Sequence, residues 1–221
     1  MDDILPKIAP DSTTRKLAKG ATLLYQSEIP LHVYTVSKGL IRAYSITSSG
    51  EERTISLHSR GDVFPLSWLY GETSSTLFYY DAVEASEVLA TPKAKFLDTV
   101  NSNPEFQAQM MKHIVNEHTA QQMRITALEQ ATAIEKISLT LYYLMIRHGR
   151  QHKPGYYTLN IKLTHTIIAS LVGLTRESTA LHMSHLKKSE VVSYKGFIYT
   201  IHKPGLERFI SEDSFKNVVL R

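Results

Sequence analysis

Arg176, Glu177 and Ser178, followed one helical turn later by Leu181, are the side chains in this sequence with the most specific chemistry to offer. Arginine presents two parallel N–H donors that match guanine O6 and N7. Glutamate accepts from cytosine N4, serine does either, and a leucine methyl packs on the methyl of thymine. Nearby, Thr164, His165, Thr175, Ser184, Lys187, Lys188 and Lys195 supply hydroxyls, imidazole and cations suited to phosphate oxygens, contacts that set affinity without reading sequence. Lys187 and Lys188 also fit a plain solvated helix end.

Such groups work only if two elements hold them. The stretch LTHTIIASLVGLTRESTALHMSHLKKSEVV, residues 163–192, reads as two short helices around a tight turn. Thr164 caps the first helix, whose Ile167, Ile168 and Leu171 share one face, with Ala169 where a second helix must come close. Gly173 permits a left-handed turn that a Cβ would resist. Thr175 caps the second helix, which turns Thr179, His182, Met183 and Leu186 inward and leaves Arg176, Glu177, Ser178, Leu181 and Ser184 outward. This is the arrangement that a helix-turn-helix with its recognition helix second needs, and two short amphipathic helices around a glycine also occur in folds that never touch DNA. The following SYKGFIYTIHKPG predicts a hairpin turning at Lys195-Gly196, which is a wing. Residues 150–221 carry 11 Lys+Arg against 5 Asp+Glu, while residues 1–149 carry 14 against 16, so the positive balance sits on this module.

The 221 residues exceed what one such module needs and suffice for two domains. No apolar run reaches transmembrane length and the start MDDILPKIAP is unlike a signal peptide, so the expected location is cytoplasmic, without a membrane partner. The absence of cysteine excludes disulfides, cysteine-held zinc and thiolate-bound iron–sulfur clusters. Residues 1–19 read as a short helical or irregular lead-in, with a possible cap at Asp11-Ser12-Thr13. From Gly20 to Pro92, short β-prone runs alternate with turns at Ser48-Ser49-Gly50 and Gly61-Asp62, the pattern of an antiparallel sandwich or jelly roll. From Pro104 to about His148 there is neither glycine nor further proline. Phe106, Met110, Ile114, His118, Gln121, Ile125, Leu128 and Thr132 step by threes and fours and predict a stripe facing a partner helix, with a break between Gln130 and Ala133. His118, Gln121, Gln122 and Ile125 are the seam candidates.

The runs Tyr34, Val36, Lys38-Gly39-Leu40-Ile41-Arg42, then Gly50-Glu51-Glu52, then Arg60-Gly61-Asp62, resemble the β-roll of the cyclic-AMP receptor protein and fumarate-nitrate reductase regulator (Crp/Fnr) family. Gly173 followed by Thr175-Arg176-Glu177-Ser178 resembles the opening of that family's recognition helix. The resemblance, from about Gly20 to Pro204, implies an α+β chain: a sensory β-roll over 1–103, a dimerisation helix over 104–133 and a winged helix-turn-helix over 134–221. It implies a homodimeric bacterial transcription regulator, more often an activator, with double-stranded DNA and RNA polymerase as partners. Arg176 and Glu177 match the family's reading positions, whereas its frequent second arginine is Leu181 here.

The departures concern the effector. Where cyclic-nucleotide binders of the family carry a ribose-binding Gly-Glu and a phosphate-binding Arg-Ser/Thr-Ala, this chain reads Phe64-Pro65-Leu66-Ser67-Trp68 and Thr76-Leu77-Phe78. Cyclic AMP is therefore not expected to bind in the usual way, since a phosphate without a cation would lose its hydration uncompensated. Phe64, Trp68, Tyr70, Phe78, Tyr79 and Tyr80 instead suggest an aromatic wall, either ordinary core or the lining of a pocket for an unidentified small-molecule effector. No cofactor is expected, although His32, His58, His113 and His118 leave a haem-type site open, and with it the rival reading of a sensor module acting on a protein partner. An enzyme is not expected: there is no nucleophile elbow or phosphate loop, and Asn116-Glu117-His118 lacks the second histidine of a zinc protease.

Overall fold

The structure is a computed structural model and describes residues 4–211. Two units divide it, residues 1–114 and 115–221. In the first, α1 (Ile4–Ile8) and a 3-10 turn (Ala9–Asp11) lead into eight strands: β1 (Thr13–Leu17), β2 (Thr22–Leu24), β3 (His32–Lys38), β4 (Ile41–Ile46), β5 (Glu52–His58), β6 (Val63–Phe64), β7 (Tyr79–Ala82) and β8 (Ser86–Pro92). They form two antiparallel four-stranded sheets, ordered β1-β8-β3-β6 and β2-β7-β4-β5. The lead-in expected before residue 20 is thus partly a strand. Thr13–Leu17 is almost wholly exposed and pairs along β8 from Thr13↔Ala90 to Leu17↔Ser86, so its sequence carries no hydrophobic alternation to reveal it.

Alternation decides where the aromatic residues go. Val63 and Phe64 are neighbours on β6 and so point to opposite faces. Phe64 enters the space between the sheets with Tyr34, Val36, Ile41, Tyr80 and Val88. There it stacks on Tyr80 at 4.9 Å, on His58 at 4.9 Å and on Tyr34 at 5.9 Å. Val63 faces the helices, joining Ile8, Phe96, Val100, Phe106 and Met110, and Trp68 of α2 (Leu66–Leu69) belongs to this second core. Phe64 and Trp68 therefore do not share a wall. Phe78 and Tyr79 are half-buried, Tyr79 stacking on Tyr44 at 5.3 Å, and Tyr70 is exposed. Gly39 connects β3 to β4 with φ +89°, and a Cβ there would lie 2.3 Å from Ser86 Oγ, which accepts the Leu40 amide. Left-handed backbone and close approach together require glycine.

After α3 (Lys93–Ser102), α4 spans Pro104–Glu129. Asn103 caps it, its Oδ1 accepting the Phe106 amide at 2.9 Å, and proline takes the first-turn position. Phe106, Met110, His113, Ala120, Arg124 and Ala127 are buried along it, at steps of three, four and seven, whereas Met111, Val115, His118, Gln122 and Ile125 form an exposed row. The predicted stripe ran from one row into the other: Phe106 and Met110 are core, while His118, Ile125 and Leu128 are exposed. A step of four residues overshoots a turn by about 40°, so the three consecutive steps from Phe106 to His118 drift about 120° around the helix. His113 Nε2 accepts the Val63 amide at 3.3 Å, and Asp62 accepts the Ser59 amide at 2.7 Å, which ties the Gly-Asp turn to α4.

In the second unit α5 (Ala133–His148) starts with a capping box, Thr132 accepting the Glu135 amide while Glu135 accepts the Thr132 amide. There follow β9 (Gly149–Lys153), β10 (Tyr156–Leu159), α6 (His165–Val172), α7 (Arg176–Lys188), β11 (Val192–Lys195), β12 (Ile198–His202) and α8 (Lys203–Glu207). The expected loop around 149–155 is a hairpin instead, and the wing is the edge of a four-stranded sheet ordered β11-β12-β10-β9. Among the described residues no helix is long and apolar enough to cross a membrane.

Removing the Phe64 ring strands three stacked partners, so Phe64→Ala should lower unfolding free energy in urea by about 3–5 kcal/mol. Phe197→Ala, at an exposed turn, should change it by no more than about 0.5 kcal/mol. Equal effects would contradict the assignment of Phe64 to the centre of the roll.

Candidate nucleic-acid interface

Both helices of the helix-turn-helix start on threonine. Thr164 Oγ1 accepts the Ile167 amide at 3.2 Å and Thr175 Oγ1 accepts the Ser178 amide at 3.1 Å. A hydroxyl that accepts from a helix amide keeps its own proton, so each remains a donor toward an anion. Between the helices Gly173 takes φ 69° and ψ 32°, and its amide returns to the Ala169 carbonyl, the left-handed cap that ends a helix in one residue. Thr179, Met183 and Leu186 are buried on the rear of α7. That anchors the helix and turns its front outward: Arg176, Glu177, Ser184, His185, Lys187 and Lys188 are exposed, Leu181 is 69% exposed and Ser178 half-buried. His182, expected inward, is also only half-buried.

The wing stands beside this face. The Leu163 amide, at the entry to α6, donates to the Phe197 carbonyl at 3.0 Å. Tyr194 of β11 takes the Lys187 ammonium 4.6 Å above its ring and meets the His165 ring edge-on at 5.8 Å. Between them lies an open cleft of about 310 Å³ lined by Thr164, His165, Thr166, Arg176, Tyr194 and Phe197, among others. Of the sequence-derived candidates, Thr164, His165 and Arg176 thus line one cleft. Thr175, Glu177 and Leu181 share the front of α7, and Lys195 is exposed on the wing. Thr166, Tyr194 and Phe197 went unnoticed. For Tyr194 and Phe197 the signal was the hairpin itself, since the residue after the Lys195-Gly196 turn projects from the tip.

His165 is partly buried, and burial, then the Arg176 charge, push its pKa below the ordinary 6.5. Elsewhere, His58 Nε2 bonds with Ser56 Oγ at 2.9 Å and its ring lies on Phe64, while His118 is exposed with Gln122 and Ile125, and Gln121 is half-buried.

Two family models match this sequence, a cyclic nucleotide-binding domain over residues 14–103 and a Crp-like helix-turn-helix domain over residues 135–209. The fumarate and nitrate reduction regulatory protein of Vibrio cholerae is 28% identical over 189 residues, covering 85% of this chain and 74% of its own. The global nitrogen regulator of Nostoc sp. is 25% identical over 187 residues, covering 84% and 83%. In fold, FixK2 of Bradyrhizobium japonicum superposes with a TM-score of 0.76 at 18% identity over 92% of this chain and 99% of that one. A CooA mutant of Carboxydothermus hydrogenoformans gives 0.74 at 21% identity over 90% and 88%.

The lowered His165 pKa sets a pH dependence. Unfolding restores the ordinary value, so between the two pKa values the unfolded chain holds more protons; the contribution is complete above 6.5 and is lost as pH falls through the lowered value. On acidification from about pH 7.5 to about pH 5.5, the melting temperature of the wild type should therefore drop more than that of His165→Gln. Parallel curves would contradict it.

Proposed function

The chain belongs to the Crp/Fnr family and is a DNA-binding transcription regulator, and from that premise we propose how it reads DNA. It acts as a homodimer, paired along the exposed row Val115, His118, Gln122 and Ile125 of α4, and presents two recognition helices to successive major-groove segments of a near-palindromic site. The observation that carries the reading is the first turn of α7, with Arg176 and Glu177 in solvent and the rear of the helix fixed by Thr179, Met183 and Leu186. Arg176 pairs with guanine and Glu177 with cytosine. Leu181 packs on a thymine methyl, so the half-site differs from one read by two arginines. Thr164, His165, Thr175, Ser184, Lys188 and Lys195 hold phosphates; Lys187 does so from its seat on Tyr194. Ser178, half-buried, contributes from the edge of the reading turn.

Pairing along α4 is supported by spacing. Val115, His118, Gln122 and Ile125 recur at three, four and three, the heptad step of two helices packed side by side, and the polar pair His118 and Gln122 within an otherwise apolar row fixes register. The β-roll does not take cyclic AMP in the usual way. At the position of the phosphate-binding arginine stands the stretch Thr76-Leu77-Phe78, and the Thr76 hydroxyl is spent on the Tyr25 carbonyl at 2.5 Å. The stack of Tyr34, Phe64, Tyr80 and His58 lies between the sheets. Family membership supports, as part of this proposal, activation through RNA polymerase in the cytoplasm.

Selection from a random duplex library by the purified protein should recover a two-fold symmetric site with half-site centres about 34 Å apart. Arg176→Ala should weaken binding by about 1–3 kcal/mol and relax preference at one guanine. Lys195→Ala should weaken all sequences alike and reduce the salt slope by about one. No binding even at low salt would overturn the reading.

A further inference from the structure

Arg124 makes a contact that base reading does not account for. It lies on α4 between Ala120 and Ala127 in the inward row and is 8% exposed. Burial lowers its pKa from the ordinary arginine value, partly offset by Tyr143. Its Nη2 donates to the carbonyl of Leu171 at 3.2 Å. Leu171 stands in the last turn of α6, two residues before Gly173. The last four carbonyls of a helix lack partners within it and form the negative end of its dipole, so a cation there supplies both a missing donor and a favourable charge. The arginine thus joins the long helix to the end of α6, at the turn from which the recognition helix departs. Seven residues earlier in the same inward row, Glu117 pairs with Arg147 of α5, both side chains largely buried.

We infer that Arg124 is a positioning residue for DNA reading: it fixes the angle of the helix-turn-helix on α4 and, in a dimer paired along α4, the spacing and phase of the two recognition helices. The inference rests on the dimeric reading above. An apolar contact between two helices tolerates sliding, because one methyl neighbour serves as well as another. A buried guanidinium does not, since sliding would strip a buried charged donor of the Leu171 carbonyl. Ile125, the next residue, stands in the exposed row and is 56% exposed. The brace and the proposed seam therefore sit at one level of the same helix, and a displacement at one is carried to the other without passing through a loop.

The test uses the full chain and the symmetric site recovered by selection, together with versions whose half-sites are moved apart or together by one and two base pairs, and a single half-site. The wild type should prefer one spacing sharply. Arg124→Met should bind the half-site as the wild type does, yet lose about tenfold or more at the preferred spacing and discriminate less among the others, because two sites help each other only when geometry allows both to engage. Arg124→Lys, a shorter-reaching single-point donor, should recover part of the preference. A residue that only stabilises the fold would lower the melting temperature of Arg124→Met and leave the ratio between spacings untouched; that result overturns the inference. Should Arg124→Met not fold, Arg124→Lys and Arg124→Gln are read by the same ratio, and an unchanged ratio in both overturns it equally. A wild type that recovers no symmetric site overturns the dimeric reading, and this inference with it.

Discussion

A helix of 26 residues has one circumference, and α4 divides it among several demands. Phe106, Met110 and His113 close the helical core of the first unit; Ala120, Met123, Arg124 and Ala127 are buried in the second; Met111, Val115, His118, Gln122 and Ile125 stay in solvent. Within the second unit the buried and exposed rows cannot shift separately, because rotation about the helix axis carries both together. That constraint explains the residue choices better than helix propensity does. Alanine recurs at 120 and 127, and an arginine stands buried at 124 with a helix-end carbonyl to receive it.

The same constraint explains what was legible from sequence. Short elements with a single buried face could be read directly. Thr164, Gly173 and Thr175 sit where caps and turn were expected, and Thr179, Met183 and Leu186 are buried. On α4, apolar residues occupy two rows at once, so a count by threes and fours finds a path that belongs to neither. Strands β1 and β9 were missed for a different reason. TTRKL and GRQHK are edge or near-edge segments almost entirely exposed, held by backbone pairing that leaves no pattern in side-chain polarity. The aromatic wall failed at β6, where one residue of register separates the interior of the roll from its helical side.

Within the interface, the two threonine caps show how a fold and a function share one group. The oxygen of each hydroxyl is committed to a helix amide, while its proton is left over. Serine would serve both tasks, and asparagine could do so through its separate amide donor, whereas aspartate would serve only the first. The His165 ring makes the complementary arrangement. Burial and the Arg176 charge favour its neutral form in the free protein, and a phosphate beside it would favour the charged one, so proton uptake accompanies any such contact.

The wing, finally, is no free hairpin. β11 pairs with β12 from Val192↔Ile201 to Lys195↔Ile198, β12 pairs with β10, and β10 with β9, while the Leu163 amide holds the Phe197 carbonyl at the tip. An isolated two-stranded hairpin would fluctuate in water and would have to be ordered on each encounter with its target. Here that loss of freedom is incurred once, when the chain folds, and is not repeated when the complex forms. Sequence changes far from the tip, in the polar strand Gly149–Lys153, should accordingly be felt as changes in how long the protein remains on its site rather than in how often it arrives.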